Sequence, residues 1–158
     1  MSENWPAAEL DDVRRLRVIA AAVRNTTTMY AEGVVPAPFE DVWAVASDLE
    51  NELPRLLPDV RTLTIRWRDG EHLGADARGR LGLRARLDVV LRPGWCLMRS
   101  RFLLGGMAAV SEANGTRFAF LGGLRVPGAR LAHPVLHRIA DPLAGSVVAR
   151  MAARATAR

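Results

Sequence analysis

The stretch Val34–Val60, VVPAPFEDVWAVASDLENELPRLLPDV, changes its pattern twice. It begins as an extended, proline-marked run. From Pro38 it turns helical, with Phe39, Val42, Trp43, Val45 and Ala46 forming an apolar stripe. Pro38 suits a first helical turn, where its missing N–H costs nothing, and Glu40 sits near the positive end of the helix dipole. Asp48 marks a break. Residues 50–57 make a second short helix if Pro54 falls in its first turn, and Pro58 ends it. Helices this short are not stable alone. They must lie against something large and apolar.

That surface follows directly. In VRTLTIRWR, Leu63, Ile65 and Trp67 share one face of a strand, and Thr62, Thr64, Arg66 and Arg68 the other. Asp69–Gly70 signals a turn. If Trp67 and Leu73 face one core, the connection holds an odd number of residues, 69–71. Alternation then continues on odd positions from Leu73 to Leu91, too long for one strand, so a break near 80–83 is expected. Pro93–Gly94 is the next turn, and 95–103 reads as a strand. Gly105–Gly106 breaks it before the short MAAVSE run. Asn114–Gly115 is a hairpin signal, and TRFAFLGGLRV carries Phe118, Phe120, Leu124 and Val126 on one side. Gly122–Gly123 suggests a bend or bulge.

Helical spacing marks both ends of the chain. At 9–24, Leu10, Val13, Leu16, Ala20 and Val23 recur at helical intervals. Arg14, Arg15 and Arg17 crowd one turn, so the helix can pack on the domain, pair with a second subunit or stand free. A strand over 28–35 follows. At the C-terminus Val135, Ile139, Leu143, Val147 and Met151 form a long stripe starting near Pro134. Asp141–Pro142 predicts a kink or restart, because an internal proline loses its helical hydrogen bond.

The 158 residues are enough for one domain with a core. The 25% of charged residues and 49% of hydrophobic ones are ordinary for a soluble globular chain. All 22 basic residues are arginine, and the net charge is +5. Cys96 is the single cysteine, so no intrachain disulfide forms and a reducing, cytoplasmic location is expected. The acidic N-terminus does not read as a signal peptide, and no apolar run is long enough to span a bilayer.

The order is therefore α+β: a strand, two short helices, an antiparallel meander and one long helix. The apolar face of such a sheet must be covered, and the last helix is long enough to cross it. The segment VPAPFEDVWAVASDLENELPRLLPDV resembles the START/Bet v 1-like (SRPBCC) superfamily, especially its polyketide cyclase/dehydrase and lipid-transport branch. NGTRFAF is similar to that family's Gly–Thr–Arg start of a late strand. The resemblance covers about 28–155. It implies a single helix-grip domain over 26–158, with 1–25 as an added N-terminal helical extension. It also implies that the two short helices close one end of a cavity, where Trp43 reads as fold core.

The cavity-facing candidates are Leu63, Ile65, Trp67, Leu87, Val89, Phe118, Phe120, Ile139 and Leu143. Met98 and Phe102 join them unless Trp95 and Leu97 take the inner face. Such a lining suits an aliphatic or polycyclic ligand. Arg61 shares parity with Leu63 and is the one catalytic candidate, a guanidinium at the pocket mouth for an enolate or carboxylate. Arg99 and Arg101, or Ser100, compete for that role. His133 and His137 stand four apart without a third ligand, so no metal and no cofactor are expected. Cys96 reads as an inert buried thiol and His72 as a surface residue. Arginines 66, 68, 78, 80, 84 and 86 form an outer basic face. With Trp67 turned inward that face lacks a stacking aromatic, so nucleic acid is not the expected partner. An anionic membrane surface, an acidic protein or a homodimer stays compatible. The leading function is binding of a hydrophobic small molecule, lipid or polyketide-like. The alternatives are a polyketide aromatase/cyclase or dehydratase, and an interaction module without ligand.

Overall fold

The structure is a computed structural model that describes residues 10–23, 27–124 and 129–158; the side chains of Thr27 and of 129–142 lie outside that description. Along the chain run α1 (Asp12–Ala22), β1 (Thr27–Val35), α2 (Phe39–Ser47), α3 (Leu53–Leu56), β2 (Val60–Asp69), β3 (His72–Gly79), β4 (Arg84–Arg92), β5 (Trp95–Arg99), β6 (Leu103–Glu112), β7 (Gly115–Leu124) and α4 (Ala129–Thr156). The strands form one antiparallel sheet in the order β1-β7-β6-β5-β4-β3-β2. The sheet curves around α4, which lies against β1 and β7 and meets α2 and α3.

Each face of the sheet has its own core. Inside are Val35, Leu73, Leu87, Val89, Met98, Met107, Phe118 and Phe120, packed with α2, α3, Val147 and Met151. Outside, Val13 and Leu16 of α1 pack with Trp95, Ala108, Ala119 and Leu121. So α1 packs on its own domain. Asp11 caps it by accepting the Arg14 N–H at 2.8 Å. Asp12 holds Arg92 in a paired contact of 3.0 and 2.8 Å, and that guanidinium lies 5.5 Å from the Trp95 ring. Gly106 leaves room for the helix: an added Cβ would stand 2.7 Å from Leu16 Cδ1.

Several expectations need correction. The β2–β3 turn has two residues, not three, since Asp69 pairs with His72. Parity is restored by a bulge in β2, where Ile65 faces Ala75 but Trp67 faces Gly74. The strand expected at 95–103 ends at Arg99. Ser100 Oγ accepts the N–H groups of Phe102 and Leu103 at 3.2 and 2.9 Å, which turns the chain. Gly105–Gly106 lies inside β6 and breaks nothing, and Gly122–Gly123 continues β7 in regular register. Leu81 and Leu83, read as inward, sit in the β3–β4 hairpin tip. Helix α4 begins before Pro134 and runs through Asp141–Pro142 without a restart. Val126 lies outside the described residues.

The C-terminal half of α4 is clamped. Arg154 donates to both Glu52 oxygens, at 2.9 and 2.7 Å, and Arg150 donates to the Leu56 carbonyl at 3.2 Å. The hydrogen bonds from Arg154 hold the Glu52 carboxyl below its ordinary value of 4.5, against the opposing effect of burial. Glu52 therefore stabilises the fold above the ordinary carboxylate range, and that stabilisation is lost as pH falls through the lowered folded value. Glu52→Gln should lower the melting temperature at neutral pH. The gap to the unmodified protein should close in acid, as melts across a pH series would record.

Candidate functional site between the sheet and the C-terminal helix

The register puts two sets of connections at opposite ends of the sheet. One end holds the β1–α2 junction and the β2–β3, β4–β5 and β6–β7 turns. The other holds the α3–β2 junction, the β3–β4 tip, the β5–β6 turn and the last residue of β7.

Burial on the inner face falls between these ends. Near the first, Val35, Leu73, Ala109 and Phe118 are buried, with Val42 and Trp43 of α2 over them. Halfway along, Val89, Met98, Met107 and Phe120 are buried. Toward the second end Met29, Ala85 and Leu103 are half-buried, and Leu124 is 49% exposed. Helix α4 repeats the trend. Met151 and Val147 are buried, but Leu143, on the same stripe, is exposed. Among the described residues the apolar face is thus well buried at one end and more exposed at the other.

Of the expected lining, Leu63, Leu87, Val89, Met98, Phe118 and Phe120 lie in the inner core, and Ile65 is half-buried against it on the edge strand. Met98 takes the inner face together with Cys96, while Trp95 and Leu97 face α1. Leu143 is at the open part of α4, and the Ile139 side chain lies outside the described residues. Two candidates are elsewhere. Trp67 is 52% exposed on the outer face, because the bulge reverses its side and its indole lies across Gly74. Phe102 is in the β5–β6 turn and about half exposed. Sequence reasoning missed Met29 and Leu103 at the open end, and it placed Ala85 on the inward parity without counting it in the lining. Their signal was inward parity near a strand end, which becomes usable once the register is known.

Among the described residues, polar side chains on the inner face are sparse. Arg61 is exposed and occupies a bulge between Val60 and Thr62, so it does not stand in the apolar row with Leu63. Among the described residues the buried polar side chains are Glu52 and Thr116. Glu52 is bound by Arg154, and Thr116 Oγ1 donates to the Ala37 carbonyl at 2.8 Å. The Ser100 hydroxyl is used in its turn, and Arg99 is exposed on the outer face. Burial pushes the Cys96 thiol up to about 12, which keeps it protonated and unreactive at neutral pH. Tyr30 reaches Glu32 at 2.6 Å beside Arg17, on the outer side of the sheet. The side chains of His133 and His137 lie outside the described residues. With Trp67 exposed, the outer arginines do have an aromatic on their face, which removes the ground on which nucleic acid was set aside.

No family model and no curated protein sequence matches the chain. Solved structures do match in shape. The di-domain ARO/CYC StfQ from the steffimycin biosynthetic pathway superposes with a TM-score of 0.67 at 13% identity, covering 93% of this chain and 55% of StfQ. The chain thus spans about half the length of that protein. The Zhui aromatase/cyclase from Streptomyces sp. R1128 gives 0.65 at 13% identity, over 83% of this chain and 94% of that one. TTHA0849 from Thermus thermophilus gives 0.63 at 20% identity, over 82% and 97%. The curved seven-stranded sheet, the pair of short helices after β1 and the long closing helix give this chain the helix-grip fold of the START/Bet v 1-like (SRPBCC) proteins.

Proposed function

We propose that the protein binds a hydrophobic small molecule, lipid or polyketide-like, between the inner face of the sheet and α4. The ligand enters from the end where Leu103, Leu124 and Leu143 lose their cover. The observation that carries this reading is the fall in burial along one continuous apolar face, sealed at α2 and open at Leu124. Such a face gives a ligand apolar contact with few polar anchors. Val89, Met98, Phe120, Leu103 and Leu124 would touch it, with Leu87 beside them.

An apolar fluorescent probe titrated into the folded protein tests this. Probe emission should rise and saturate, and a fatty acid should compete. Ala85→Phe, which places a ring on the inner face near the mouth, should weaken probe binding by roughly tenfold, the factor carried by about 1.4 kcal/mol of blocked contact. A folded protein that leaves the probe unchanged contradicts the proposal, as does an Ala85→Phe variant that binds it equally well.

A second reading, cyclisation or dehydration of a polyketide, is favoured by the shape likeness to two ARO/CYC proteins. Binding is preferred over it because acid–base catalysis needs a positioned, free polar group. Among the described residues the buried polar side chains, Glu52 and Thr116, are both engaged in holding the fold. Mass change of a linear polyketide mimic on incubation would favour the second reading.

A further inference from the structure

The β3–β4 hairpin ends in Arg78-Gly-Arg-Leu-Gly-Leu-Arg-Ala-Arg86, and its tip displays two leucines to solvent. Leu81 is 92% exposed and Leu83 72%. The turn beneath them is ordered. Gly79 N–H donates to the Leu83 carbonyl at 2.8 Å, Gly82 N–H to the Gly79 carbonyl at 3.3 Å, and Arg80 N–H to the Asp59 carbonyl at 3.2 Å. Gly82 has a φ of 78°, a left-handed conformation that glycine adopts without strain. The hairpin also protrudes. Strand β5 ends at Arg99 opposite Asp88, so Arg84 to Leu87 run past it.

Charge and apolar surface coincide here. Arg78, Arg80, Arg84 and Arg86 are exposed, and none forms an ion pair among the described residues. Asp76, which pairs with Arg86 across the sheet, is held by Arg66 at 2.6 Å. A second connection at the same end repeats the composition, with exposed Phe102 between Arg101 and the β6 start. Two exposed leucines on one tip, with Phe102 exposed at the same end, make an apolar patch of the kind that marks an interaction surface. Arginines on either side select a cover that is apolar below a negative surface.

We propose that this end of the molecule docks peripherally on a bilayer with anionic headgroups. Leu81 and Leu83 insert below the headgroups, and the hairpin arginines meet the phosphates. The docking stands on the hairpin alone. Exchange of a hydrophobic ligand with that bilayer follows from it only through the proposed ligand binding, because the docking end is also the end where the inner face opens.

Vesicle co-sedimentation of the whole chain tests this. The protein should pellet with phosphatidylcholine vesicles containing phosphatidylglycerol and remain in solution with phosphatidylcholine alone. Binding should weaken with added salt. Leu81→Ser with Leu83→Ser should reduce it by roughly tenfold or more while leaving the charge intact. Arg80→Gln with Arg84→Gln should reduce it by a similar factor. Both double variants should melt as the unmodified protein does, since the tip side chains lie outside either core. Absence of pelleting on the anionic vesicles at low salt overturns the proposal. So does undiminished pelleting of the leucine variant, or binding to a single-stranded oligonucleotide that exceeds binding to vesicles. Probe binding without vesicles reports the ligand site separately. Tip variants should leave it unchanged, so loss of pelleting with retained probe binding falls on the leucines and arginines alone.

Discussion

Phe118→Ala is expected to destabilise the fold by about 3–5 kcal/mol, the range for truncating a fully buried large aromatic. Phe118 has no exposed surface. It stands on β7 between Gly33 of β1 and Ala109 of β6, at the sealed end of the inner face. Its directly paired neighbours, Gly33 and Ala109, are small and cannot fill the space it leaves. Leu124 lies on the same face of the same strand, three inward positions further along, and is half exposed. Leu124→Ala should therefore cost well under about 1 kcal/mol in stability, since little area leaves water there. The same change should still weaken probe binding. Urea unfolding of both variants would measure the contrast. Equal losses would mean that the inner face is packed alike from end to end.

Gly115→Ala is the second large effect, about 3 kcal/mol or more. Gly115 has a φ of 141°, which a side chain makes unfavourable, and it opens β7 directly after the Asn114 turn. A Cβ there would overlap the Val35 carbonyl oxygen. That neighbour is backbone, held where β1 pairs with β7, so it cannot swing aside. Gly145 provides the contrast. It is exposed on α4 with nothing near the site of a Cβ, so Gly145→Ala should stabilise the helix by up to about 1 kcal/mol. Thermal unfolding of the two alanine variants should move in opposite directions. A stable, unshifted Gly115→Ala protein would contradict the described turn.

The order of elements was legible because the chain marks it with strong local signals. Pro38, Pro54 and Pro58 bracket α2 and α3, Asn114–Gly115 makes a hairpin, and Leu87, Val89 and Leu91 share one parity with Arg86, Asp88 and Arg92 on the other. What the sequence hid were places where one residue changes the parity of all that follow. Bulges at Arg61 and Arg66 sit in β2, an edge strand whose one free side tolerates an extra residue. The second bulge has a partner far from it in sequence: Glu50 accepts the Ile65 N–H at 2.7 Å. No local pattern announces that contact, so Trp67 read as inward. In β5 both faces are apolar, because the outer one is covered by α1. Alternation therefore could not choose between Trp95 and Met98. The use of α1 was hidden for the same reason: its anchor is Gly106, whose lack of a side chain reads equally as a strand break.

Glu52 illustrates how a residue can look functional and be structural. It is acidic, buried and near the inner face, yet both oxygens are taken by Arg154. Its role is to hold α4 over the short helices, so that the stripe from Met151 to Val147 is fixed while Leu143 beyond it stays uncovered.

On the proposed function, the more exposed half of the inner face holds a hydrophobic guest. Native mass spectrometry of the chain, after incubation with a mixture of fatty acids and polycyclic aromatic acids, tests it most directly. A one-to-one adduct is expected, retained by the Leu81→Ser/Leu83→Ser variant and lost or much reduced in Ala85→Phe. A spectrum showing only the bare chain, or an adduct that Ala85→Phe leaves undiminished, would contradict it.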